Sequence, residues 1–241
     1  MQFLFAFLTF IIFNAQKNFG KIEYESKAKD NKINYVSGTL YFDLKSSVYV
    51  FKNEQKEKTK SYTDLDGSII RPSNSIDSIA NKQRFIFFDD KIFYNNIINN
   101  NIETLLKDGT RIEWRVTKVK KKILGYNCTK AIGKLYDVDY TVYYTTLLNF
   151  PFGPLKINGL PGIILAVESD EVGLNIVANK ITFEENDTKV INQIKNKYDF
   201  GTAMSSDEYN KILLQYLNEK KPAGLKKFEL EDLNCKGCNS K

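Results

Sequence analysis

Thr39-Leu40-Tyr41-Phe42-Asp43 and Ser47-Val48-Tyr49-Val50-Phe51 are separated by three residues, and both alternate in polarity, as does Lys21-Ile22-Glu23-Tyr24-Glu25 upstream. Successive side chains of a strand point to opposite faces, so a period of two predicts half-buried antiparallel strands. The same pattern returns at Arg84–Phe88 and Lys91–Tyr94, with Asp89-Asp90 between them as a tight hairpin turn. Residues 111–118 (RIEWRVTK) place Ile112, Trp114 and Val116 on one face. Leu124-Gly125-Tyr126 then turns the chain into a strand from Asn127 to Tyr136, followed by strands at 139–147, 163–168 and 172–183. Two stretches break the pattern. Residues 53–81, rich in Lys, Glu, Ser and Asp and holding Pro72, read as a long loop, and Asn95–Asn101 reads as an interruption.

Only the C-terminal part reads as helical. Ser205 and Glu208 have capping-box spacing, and Tyr209, Ile212, Leu213, Tyr216 and Leu217 form one apolar stripe that predicts a core-facing side. Lys220 and Lys221 suit the helix C-terminus, and Pro222 stops it. The fold class expected is mainly β with minor α: a single large curved antiparallel sheet or half-barrel carrying a C-terminal helix. Seventeen Phe and fourteen Tyr suit such an interior.

The N-terminus reads as an address. Phe3 to Phe13 (FLFAFLTFIIF) has no charge and is too short to cross a bilayer, and Ala15 supplies the small residue that a signal cleavage site needs. The alternative is a buried N-terminal strand or core helix. The domain organisation expected is therefore a signal peptide at residues 1–15 and one β-rich domain at 16–241. No cysteine follows the apolar run, which argues against a lipid anchor. The periplasm, the cell surface or the extracellular space is the expected location.

Thirty-five Lys plus Arg against twenty-nine Asp plus Glu give a net charge of +6, without a basic stripe. Nucleic acid is therefore not an expected partner. Lys118, Lys120, Lys121 and Lys122 form the one basic cluster; a solvated turn is its plainest reading, a phosphate or headgroup site the other. Cys235 and Cys238 form a Cys-x-x-Cys with only three residues after it, too few for the helix that activates a redox thiol pair. A disulfide drawn from Cys128, Cys235 and Cys238, local or from tail to strand, is expected in an oxidising compartment. The chain holds no histidine, which removes Ser-His-Asp and Cys-His catalysis and His-ligated zinc. No metal and no cofactor is expected. Acid–base chemistry would fall to carboxylates at turns and strand ends: Asp89 with Asp90, Asp137 with Asp139, or Glu168 with Asp170 and Glu171.

Pro151, Pro154 and Pro161, interleaved with Gly153, Gly159 and Gly162, fix the backbone of one passage. Leu160-Pro161-Gly162-Ile163 predicts a type II turn, with Gly162 at the position that needs a positive φ. Here the chain resembles the GLPGLI family of exported proteins, through Gly159, Leu160, Pro161, Gly162, Ile163 and Ile164. Trp114, Gly125 to Ala131, Tyr143-Tyr144 and Phe152-Gly153-Pro154 extend the likeness over residues 110–183. The resemblance implies a bacterial cell-envelope protein and supplies no catalytic residues. No catalytic residue is assigned and the ligand-binding residues stay unknown. The reading that follows is a non-enzymatic binding or carrier module with a Tyr- and Phe-lined groove. Its partner would be a lipid, a peptide or an envelope protein. A carboxylate-dependent hydrolase of envelope polymers and an interaction subunit of an outer-membrane assembly are the alternatives.

Overall fold

The computed structural model describes residues 18–26, 37–51, 62–63, 69–70, 84–98, 102–220, 224, 226–227 and 229. The leader expected at residues 1–15, Cys235 and Cys238 lie outside them, as does most of the loop expected at 53–81.

Twelve strands form one sheet: β1 Phe19–Ser26, β2 Gly38–Asp43, β3 Ser47–Phe51, β6 Arg84–Phe88, β7 Lys91–Ile98, β8 Ile102–Asp108, β9 Trp114–Ile123, β10 Tyr126–Leu135, β11 Val138–Thr145, β12 Ile163–Ser169, β13 Leu174–Thr182 and β14 Met204–Ser205. The remaining strands, β4 Tyr62–Thr63 and β5 Ile69–Ile70, pair with each other. The sheet order is β14-β8-β7-β6-β3-β2-β1-β13-β12-β11-β10-β9. Neighbours run antiparallel except for the short parallel pair β14–β8. The predicted fold class is the observed one: mainly β, a single large open sheet, with a C-terminal helix α2 at Ser206–Lys220.

Three hairpins turn on two residues that both have positive φ, the type I′ pattern that matches strand twist: Asp89-Asp90, Leu124-Gly125 and Tyr136-Asp137. Bulges interrupt the ladders at Glu23/Tyr24 against β13 and at Tyr143/Tyr144 against β12, and bulges bend sheets. The second sits at Ile164, whose carbonyl accepts a hydrogen bond from the buried Tyr24 hydroxyl at 2.6 Å.

Both sheet faces are covered in the β1–β3–β6 region, which is why β3 is buried along nearly its whole length. On one face Val48, Val50, Ile86 and Phe93 pack on Ile191 and Ile194 of a second helix, α1 Asp187–Lys197. On the other, Ile22, Tyr24, Leu40, Phe42 and Tyr49 pack on Phe150 and Phe152 from the Pro/Gly passage. Phe42 lies 4.6 Å from Phe150, and Phe87 lies 5.2 Å from Phe152, centroid to centroid. Such pairs add to the burial of their rings.

Three local expectations are corrected. Asn95 and Asn96 continue β7, and buried Asn95 accepts the Arg84 amide through Oδ1 at 2.8 Å, which offsets the cost of burying an amide side chain in a strand. Residues 187–197 form a helix as well, although only the stretch from Ser205 reads as helical. Last, the stripe on α2 is only partly covered: Tyr209 is buried against Leu106, while Ile212 is 42% exposed. The capping box itself is made, with Ser205 N and Glu208 N each bonded to the other residue's side chain.

A cleft at the mouth of the curled sheet

The Pro/Gly passage is knitted to itself and to the start of β12. Gly159 N donates to Pro151 O at 3.0 Å, Ile163 N to Leu148 O at 3.0 Å and Ile164 N to Phe152 O at 2.9 Å. Around Pro161 the turn is tighter than the type II turn expected, because Gly162 N donates to Leu160 O at 2.8 Å and Ile163 N is taken by Leu148. Gly162 has φ +152°, and a Cβ there would fall 2.2 Å from Thr145 O, so only glycine fits. Leu160, Ile163 and Ile164 are buried pegs, whereas Pro161 is exposed and Gly159 (φ +90°) faces Trp114. The motif is thus chiefly a fastening, with its first residue at the surface.

Lys156, in the same passage, joins distant parts of the sheet. Its ammonium donates to Asp108 Oδ2 at the end of β8 (2.7 Å) and to the hydroxyl of Tyr136 in the β10–β11 turn (3.1 Å), and it lies 4.1 Å from the Tyr94 ring centroid. The Tyr136 hydroxyl also donates to Asp108 Oδ2, and the Thr110 amide donates to Oδ1 at 2.9 Å. β8 and β10 stand near opposite ends of the sheet order, so this cluster draws the curled sheet round the passage. Burial by itself would raise the Asp108 carboxyl, but the hydrogen bonds from Lys156, Tyr136 and Thr110 outweigh it and hold the group down at about 2. Burial would lower Lys156, and its bonds to Asp108 and Tyr136 leave it raised instead.

Beside this cluster opens a cleft of about 320 Å³. Phe87 and Ile92 come from the β6–β7 hairpin, Ile112 and Arg111 from the β8–β9 connection, and Asn158 and Gly159 from the passage. Asp90 and Arg111 are exposed at its rim and form no ion pair with each other. Asn158 is held from behind, its carbonyl accepting Trp114 Nε1 at 2.8 Å and its Nδ2 donating to Lys156 O at 2.8 Å. Sequence reasoning singled out Gly159 and Asp90 but could not join them, since Asp90, Arg111 and Gly159 meet only when the sheet curls.

The aromatic face of Tyr24, Phe42 and Tyr49 is packed by the chain's own Phe150, Phe152 and Leu155. The acidic candidates divide. Asp139, Glu168, Asp170 and Glu171 surround a second cleft of about 610 Å³ that also holds Lys130, Ser169 and Asn175. Asp139, Asp170 and Glu171 are exposed; Lys134 sits 3.6 Å from Asp139, and Lys121 sits 3.3 Å from Glu168. Asp89 and Asp137 occupy hairpin turns and do not join them. Among the described residues no cluster of three His, Cys, Asp or Glu is placed to hold a metal ion, and no helix is long and apolar enough to cross a membrane. Cys128 is a buried free thiol in β10, pushed up to about 11 by burial.

No family model and no curated protein matches the chain. Two solved structures of PNGF-II, in space groups C2 and P21, are similar to it, with TM-scores of 0.53 and 0.54 at 16% and 15% identity. Each alignment covers 81% of this chain but only 32% or 33% of the PNGF-II chain. The chain therefore spans about a third of PNGF-II, and at this identity the likeness is one of fold.

Proposed function

We propose that the chain is an exported, non-enzymatic binding module of the cell envelope, of GLPGLI type, and that it takes a short peptide at the mouth of the curled sheet. Export is supported by the Phe3–Phe13 run with Ala15 behind it, and the family by Gly159 to Ile164. The observation that carries the binding reading is the cleft itself, where Phe87, Ile92 and Ile112 lie beside the polar Asp90, Asp108, Thr110, Arg111 and Asn158. Clefts that bind small ligands combine apolar lining with a few placed polar groups, and about 320 Å³ lies at the small end of their range. Such a space suits a peptide side chain with its flanking amides better than a two-chain lipid. The filled interior points the same way, since a lipid carrier needs its apolar face empty. The four carboxylates round the second cleft support the hydrolase as a second reading. The exposure of Asp139, Asp170 and Glu171, and the lysines beside Asp139 and Glu168, suit a solvated face better.

Gly109 lies in the cleft wall, and a Cβ added to it meets nothing within 4 Å. Gly109→Trp should therefore fill the cleft without straining the fold. Full-length protein, exported and purified gently from the periplasm, is examined by native mass spectrometry. The expected result is a bound peptide mass on the wild type, absent from Gly109→Trp at an unchanged melting temperature. Equal retention by both proteins, or an empty wild type, overturns the reading. Release of envelope-polymer fragments that is lost in Glu168→Gln would favour the hydrolase instead.

A further inference from the structure

β9 ends the twelve-stranded sheet. β10 pairs with it on one side, and among the described residues no strand lies on the other. An edge of ten residues presents outward amides and carbonyls that a second extended chain can satisfy.

The charge on this edge has one sign. Arg115, Lys118, Lys120, Lys121 and Lys122 are all exposed, and the strand contains no acidic residue. Lys121 is held by Glu168 and lies 4.7 Å over the Tyr143 ring, and Lys120 donates to Thr129 Oγ1 at 2.7 Å. Arg115, Lys118 and Lys122 make no ion pair with a carboxylate among the described residues. Between the cations stand two apolar side chains left in water, Val116 at 51% and Val119 at 53% exposure.

The ladder is also interrupted. Lys120 pairs with Thr129 and Val116 with Ala131, so Thr117, Lys118 and Val119 together oppose Lys130. Thr117 holds this bulge by donating to Lys130 O at 3.0 Å and accepting from Val119 N at 3.2 Å. Lysines and bulges keep sheet edges from pairing with copies of themselves. They leave the edge open to a strand of opposite charge, for which Coulomb attraction replaces repulsion.

We propose that β9 receives an extended acidic segment of a partner protein by strand addition. Carboxylates on one face of that segment meet Lys120 and Lys122, which share a face of β9, while Lys118 and Val119 stand in the bulge beside them. The inference is independent of the mouth cleft.

The probe is the labelled peptide EVEVEVEV, titrated against the full chain and followed by fluorescence anisotropy. KVKVKVKV and the proline-interrupted EVEPEVEP serve as controls, since proline removes the ladder donor but keeps the charge. Binding of EVEVEVEV should weaken at high salt. It should also fall about tenfold or more for EVEPEVEP and for a Lys118→Glu/Lys122→Glu variant of unchanged melting temperature. Hydrogen exchange at the β9 amides should slow when the peptide is bound. Equal binding of EVEPEVEP, or binding without β9 protection, reduces the effect to charge attraction and overturns strand addition. Absence of binding assigns the lysines to edge protection alone. Capture of the chain by phosphatidylglycerol vesicles without peptide binding assigns the strip to a membrane surface.

Discussion

Lys156 meets Asp108 and Tyr136 in a setting where both members of the ion pair are largely out of water, with side-chain exposures of 16% and 5%. Removing one partner of such a pair strands the other, which typically costs 3–5 kcal/mol. The exposed pair Lys134–Asp139, at 56% and 59%, should contribute less than about 1 kcal/mol. Asp108 also makes stability depend on pH. Its carboxyl is held at about 2 in the fold against an ordinary 3.8, so the folded state binds its proton less readily than the unfolded chain. Its contribution, about 2 kcal/mol, is complete above pH ~4 and is lost as the pH falls through about 2. Urea unfolding of wild type and Asp108→Asn from pH 7 to pH 2 should show a stability gap that narrows below about pH 4. A gap that stays constant over that range contradicts the assignment.

At the scale of elements, the two helices differ in how they are held. α1 buries Val190, Ile191 and Ile194 against β1, β2 and β3, whereas α2 buries only Tyr209. Ile191→Ala should cost about 2–4 kcal/mol, because it opens a cavity in a closed contact. Ile212→Ala should stay within about 0.5 kcal/mol. Chemical denaturation of the two variants checks both values, and comparable losses would mean that α2 is as firmly packed as α1. The same contrast explains what the amino-acid pattern disclosed. α2 was legible because its capping box and Tyr209–Leu217 stripe are local features, yet the depth of its burial is set by tertiary contacts. α1 carries three apolar residues among Asp, Asn, Gln and Lys, too few to distinguish it from a loop until β1–β3 provide their partner. The strands from Lys21 to Phe51 were legible through their period of two. β12 (IILAVES) shows no alternation, being covered on both faces. Asn95 looked like a breaker because its buried bond to the Arg84 amide leaves no trace in the pattern. Gly159 drew attention as part of a motif. Ile112 reads only as a strand position beside Trp114, and Arg111 carries no signal of its own, because curvature alone brings them to the cleft.

For the whole molecule, the central point is that an open sheet of twelve strands has curled round a segment of its own chain. Phe150 and Phe152 are each 1% exposed, and the amides of Gly159, Ile163 and Ile164 are committed to carbonyls within the passage. Under the two proposals above, ligand access is confined to the surface, at the mouth cleft and along the β9 edge. Native-state hydrogen exchange tests this most directly, since it measures the free energy at which each segment opens. If the passage is core, Ile163 and Ile164 will exchange only with global unfolding, at the rate of Val142 and Val167 in the sheet. If these amides exchange like exposed loop residues while Val142 and Val167 stay protected, the passage is a lid that opens over an apolar groove, which contradicts a permanently filled interior.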